Sequence, residues 1–128
     1  MRFLALAAAA AILLACASPS MTVRADQASY SPAMSSRPGL GLTPVFSAPA
    51  GTTCEYHWHA SFGTFVSRGA DVVAGGETLY WTYDPKLTFA QKPTVRISVE
   101  ARDRDSGRVL AQEKIVLDWD GDIAHVRE

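Results

Sequence analysis

The segment Cys54–Phe65, CEYHWHASFGTF, gathers a thiol, two imidazoles and several aromatic rings in twelve residues. Thiolate and imidazole are the preferred ligands of zinc and copper, and a thiol beside an imidazole is also the pairing that activates a cysteine nucleophile. Either chemistry requires Cys54, His57 and His59 to converge. On a β-strand successive side chains point to opposite faces. Cys54, Tyr56, Trp58 and Ala60 then share one face, and Glu55, His57 and His59 share the other. A large aromatic pair belongs in a core, so the histidines are predicted to face solvent with Cys54 turned away from them. Residues i and i+2 on one face stand roughly 6–7 Å apart, which leaves a weaker option. His57 and His59 could share a surface ion or small ligand, with Glu55 or the distant His125 as a third group. Structural zinc sites use closed four-ligand sets, and none is legible here, so no metal or other cofactor is expected.

Other chemistry is sparse. Asp118, Asp120 and Asp122 have the D-x-D-x-D spacing that opens a calcium loop, but Ile123 stands where that loop needs glycine. The segment DWDGDIAHVRE is expected to be a solvated polar tail. There is no G-x-S-x-G and no glycine-rich phosphate loop in strand-to-helix context, and the chain is not expected to be an enzyme. Twelve Lys and Arg against thirteen Asp and Glu give a formal charge of −1. With no basic block, the electrostatic footprint of a nucleic-acid binder is missing.

The elements that position these residues read as strands. From Thr94 to Asp103, Val95, Ile97, Val99 and Ala101 alternate with Arg96, Ser98, Glu100 and Arg102, the pattern of a strand with one buried and one wet face. Arg104–Gly107, RDSG, reads as the turn of a hairpin into RVLAQEKIVLDW. GLTPVFSAP, CEYHWHA and TLYWTY are further short segments bounded by Gly, Pro, Asp and Ser. Several short strands at this spacing predict an all-β domain over residues 40–128, built as a two-sheet sandwich; a small barrel shares the same alternation. Trp58 and Trp81 are expected in its core with Tyr56, Leu79, Val95, Ile97 and Val99, completed by Ile115 and Leu117.

The N-terminus carries an address. Arg2 is followed by an apolar run from Phe3 to Cys16, too short to span a bilayer and of the length of a signal-peptide core. Leu13-Leu14-Ala15-Cys16 resembles a bacterial lipobox, with Leu14 bulkier than the usual occupant. The resemblance implies a lipoprotein signal peptide over residues 1–15, cleavage before Cys16 and acylation of Cys16, palmitate included. It also implies a location in the cell envelope, on the outer membrane facing the periplasm if the bacterium has two membranes. Three acyl chains, at about 0.8 kcal/mol per buried methylene, anchor a protein stably. Residues 16–39, rich in Ser, Pro and Ala, read as the lipidated anchor and a flexible tether reaching about 25–30 Å, with a short strand at MTVRA. If Cys16 is acylated, Cys54 has no disulfide partner, since the chain has two cysteines.

YHWHASFG is similar to the Y-x-W, with Gly five residues on, of PKD-like and related immunoglobulin-like domains of bacterial surface proteins. Tyr56, Trp58 and Gly63 fall on those positions, and Trp81 in LYWTYDP resembles the second aromatic. Val99, Ala101 and Asp103 resemble the V-x-V-x-D that closes the penultimate strand, although Gly107 falls one residue later than usual. The likeness covers Thr43 to Asp118. It implies a spacer or interaction module without a cofactor, docking on an envelope protein or cell-wall partner. The contrasting expectation is a periplasmic lipoprotein that binds a small ligand or metal on the His57/His59 face.

Overall fold

The alternation of Val95–Asp103 is realised along its whole length. In the computed structural model, which describes residues 20–86 and 93–127, Val95, Ile97, Val99 and Ala101 are buried, and Arg96 between them is exposed. The described residues form ten strands: β1 (Thr22–Ala25), β2 (Ser29–Tyr30), β3 (Leu40–Val45), β4 (Cys54–Ala60), β5 (Thr64–Phe65), β6 (Asp71–Ala74), β7 (Leu79–Thr82), β8 (Val95–Asp103), β9 (Val109–Asp120) and β10 (Ile123–Val126). They build a β-sandwich of two antiparallel sheets, ordered β1-β3-β7-β5 and β2-β10-β9-β8-β4-β6. No helix occurs among the described residues, and so none there is long and apolar enough to cross a membrane.

The core is the space between the sheets. Leu40, Leu42, Phe65, Leu79 and Trp81 contribute from the smaller sheet; Tyr56, Trp58, Val95, Ile97, Val99 and Leu117 contribute from the larger. Ile115 packs against this cluster while partly exposed. The Trp58 ring meets Phe65 edge-on at 5.7 Å, and Phe65 lies opposite Trp81 in the β5–β7 pairing. The Trp81 indole donates to the Phe62 carbonyl at 2.8 Å.

Two expectations are corrected. Residues 20–39 are part of the domain rather than a tether. β1 pairs with β3, β2 pairs with β10, and Met21 and Tyr30 are buried in the core. The Tyr30 ring stands edge-on to Trp81 and Tyr83, and its hydroxyl bonds Thr82 Oγ1 at 2.8 Å. Strands of two to four residues are too short to show a period; β2 is fixed by Tyr30 in the core, and β1 by Met21 before it with Val23 and Ala25 packed against the core. The second correction concerns DWDGDIAHVRE, whose described residues, 118–127, form a hairpin. β9 runs to Asp120, Gly121 turns at φ +63°, and β10 returns along β9. The leader (1–15) and Cys16 lie outside the described residues.

Gly63 sits at φ +77°, in the left-handed region that favours glycine, and an added Cβ would come within 2.6 Å of the Thr82 carbonyl oxygen and 2.7 Å of Trp81 Nε1. Gly51 has a similar φ of +81° with nothing within 4 Å. Gly51→Ala is therefore expected to cost only the left-handed strain, about 1–2 kcal/mol. Gly63→Ala adds a clash of the overpacking kind and should cost about 2–5 kcal/mol. Urea titration of both variants measures the gap; equal losses would show that Gly63 is held by backbone conformation alone.

Candidate functional site

The pleat of β4 divides its side chains as strand geometry requires. Tyr56, Trp58 and Ala60 are buried, Cys54 is half-buried against the core, and Glu55, His57 and His59 lie on the outer face. Pairing then extends that face sideways. Val73, His57, Glu100 and Gln112 stand in one row across β6, β4, β8 and β9; Asp71, His59, Ser98 and Lys114 stand in the next. Together these rows line a shallow groove of about 740 Å³ on the six-stranded sheet.

Both histidines on this face, and Arg102, meet an acid. His57 Nε2 meets Glu55 Oε2 at 2.7 Å along the strand, and His59 Nδ1 meets Asp71 Oδ1 at 2.7 Å across to the edge strand. Arg102 Nε donates to Glu100 Oε1 at 2.9 Å. His57 and Glu55 are about three-quarters covered, whereas the His59–Asp71 pair is mostly in water and adds little stability. The face is thus polar and of mixed sign, and it is built on strands rather than on loops.

The thiol and the imidazoles of β4 do not converge. The Cys54 thiol is on the far side of the sheet from both imidazoles. Burial, and then the neighbouring Asp103 carboxylate, push its pKa up, which disfavours the thiolate that nucleophilic or metal-binding roles need. Burial likewise raises the pKa of Tyr56. Among the described residues no group of three or more His, Cys, Asp or Glu is placed to hold a metal ion. His125, considered as a distant third ligand, lies on β10 with β9 and β8 between it and β4. Three strand spacings alone put it at least about 14 Å away, and its register opposite Asp118 sets it further off along the strands.

The positions that resemble the PKD pattern serve the fold. Tyr56, Trp58 and Trp81 are core side chains, and Gly63 packs under the Trp81 indole. Asp103 closes the β8–β9 turn: its Oδ1 accepts from the Asp105 amide at 2.9 Å, and its own carbonyl accepts from Gly107, which adopts φ +77°. Parity along β4 was enough to find His57, His59 and Glu55. Asp71, Val73 and Gln112 were missed, because the strands carrying them join the site only through pairing. Comparison of the chain with known protein families, curated proteins and solved structures finds no match.

Two carboxylates make the fold sensitive to acid. Backbone amides of the turn, led by that of Asp105, lower the Asp103 pKa from its ordinary 3.8. The Arg127 guanidinium, which Asp118 accepts from at 2.8 Å, lowers that of Asp118. A depressed folded pKa means stability that is present above the unfolded value and is lost as pH falls through the folded one. The urea midpoint should therefore fall between about pH 5 and pH 2. Asp103→Asn with Asp118→Asn should flatten that fall, and an unchanged slope would remove these two groups as its source.

Proposed function

We propose that the chain is an envelope lipoprotein, anchored through acylated Cys16. Its β-sandwich is an immunoglobulin-like domain of PKD-like type that works as a non-catalytic docking module. The observation that carries the docking role is the outer face of the six-stranded sheet. It presents a groove in which His57, His59 and Arg102 are already paired with acids and held on paired strands. Such a face needs little ordering to bind, so less of the contact energy is lost to fixing side chains. Its mixed charge suits a polar partner with alternating donors and acceptors, such as another envelope protein or a cell-wall polymer.

The PKD-like assignment is supported by the roles of the positions that suggested it. Tyr56 and Trp58 sit on the inner face of a central strand, Trp81 stands across the core, Gly63 lies beneath its ring, and Asp103 caps the hairpin turn. These roles belong to the scaffold, and a fold alone does not choose a partner.

The anchor is tested by Cys16→Ser. The variant should accumulate as an uncleaved precursor or leave the membrane fraction, while the parent fractionates with membranes and begins at acylated Cys16. A soluble parent with an unmodified N-terminus elsewhere would remove the anchor. The docking face is tested separately with a photo-crosslinker placed at Gln112, in the groove, or at Asp84, in the loop after β7. In intact envelopes Gln112 should give a discrete adduct. His57→Ser with His59→Ser should abolish that adduct while changing stability by only about half a kcal/mol. Adducts from Asp84 alone would move the binding surface to the loops. One equivalent of zinc bound by the parent and lost in the histidine variant would make the face a metal site instead.

A further inference from the structure

The point at which the chain enters the sandwich fixes how far the domain can stand from its anchor. Met21 is buried at 4% exposure, and Thr22 is already paired with Val45. Only three residues lie between Cys16 and Ser20, and the four residue steps, even fully extended, span at most about 14 Å. The headgroup layer on one side of a bilayer takes up roughly 5–8 Å of that. The end of the sandwich carrying Ser20 is therefore held within several ångströms of the lipid headgroups.

That end has the surface such a position requires. β1 begins there, β3 ends there at Val45, β8 ends there and β9 begins there at Val109. The β3–β4 loop and the β8–β9 turn meet through the Arg104 amide, which donates to the Thr53 carbonyl at 2.9 Å. Val45 and Val109 are 42% and 44% exposed, among the few large apolar side chains left in water. Val45 lies opposite Thr22. Val109 and Leu110 share a shallow cleft with Ser20 and Met21. Arg104 and Arg108, both exposed, flank the same turn, with Asp105 as the exposed acid between them. Exposed apolar side chains beside arginines suit the boundary between acyl chains and lipid phosphates.

We propose that this end of the sandwich rests on the bilayer surface, with Val45 and Val109 against the interface and Arg104 and Arg108 toward lipid phosphates. The inference rests on acylation of Cys16. It directs the strands away from the membrane, places the β9–β10 turn at the distal end and leaves the His57/His59 groove open from the side.

The test uses the full-length acylated protein in phosphatidylcholine–phosphatidylglycerol vesicles. In a Cys54→Ser background, a fluorophore is placed by Val109→Cys or by Asp120→Cys, beside the distal turn. Lipids carrying a nitroxide near the headgroup should quench the Val109 label several-fold more than the Asp120 label. Vesicle-bound protein with equal quenching, or stronger quenching at Asp120, would overturn the orientation and leave the anchor standing. Protein that fails to bind vesicles and carries no lipid on Cys16 would overturn the anchor, and the orientation with it.

Discussion

The two sheets are joined by a run of aromatic contacts, and the positions of the other features follow from it. Trp58 of the larger sheet stands edge-on to Phe65 of the smaller. Phe65 lies opposite Trp81, whose ring meets Tyr30 and Tyr83 at 6.4 and 5.4 Å. Tyr83 meets Trp119 at 5.0 Å, and Trp119 meets Phe62 at 6.1 Å. Such pairs contribute about 0.5–1.5 kcal/mol each beyond the area they bury, and this run crosses between the sheets more than once. Its polar ends are tied as well: Trp119 Nε1 donates to the Pro93 carbonyl at 2.6 Å, and the Tyr83 hydroxyl donates to that of Asp122. The loops at that end are thereby fastened to the core. Trp58 is the exception, since its indole nitrogen is buried without a partner. A buried orphan donor costs about 1–3 kcal/mol, which the burial of so large a ring offsets.

Fixing Trp58 inward leaves His57 and His59 no choice of face. A one-residue slip of β4 would put both imidazoles in the core and the indole in water, so register is set by the strongest hydrophobic side chain on the strand. The outer face inherits its rigidity from that constraint. Two of its acid–base pairs lie along one strand, His57 with Glu55 and Arg102 with Glu100, and the third, His59 with Asp71, forms because antiparallel pairing brings β6 beside β4.

The same core draws in the N-terminal strands. Tyr30 reaches Trp81 and Thr82 from an edge strand of the other sheet. Asp26 accepts from the Gly41 amide at 2.9 Å and is paired with Arg37. These contacts convert a segment of low apolar content into part of the domain. The distance from the proposed anchor at Cys16 shrinks accordingly, from the reach of a two-dozen-residue chain to that of a few residues. The membrane contact proposed for one end of the sandwich depends on that short connection.

Local sequence by itself determined the pleat and its two faces. Alternation from Val95 to Asp103, the aromatic pair Tyr56 and Trp58 alternating with the histidines, and the RDSG turn were all legible. Each is a property of neighbouring residues on one strand, set by covalent geometry and side-chain polarity. Tertiary structure alone decided the rest. β2, β5 and β6 have four residues or fewer, too few to show a period, and they are strands because a neighbour supplies their hydrogen bonds and the core takes a side chain from them. Asp71 meets His59 across twelve positions of sequence, and Gln112 reaches the groove only because β9 lies beside β8. The histidine-bearing face could be read from one strand, but the groove on it required four strands to pair in register. That pairing is a long-range choice, made where it buries the most apolar surface and leaves the fewest backbone groups unpaired.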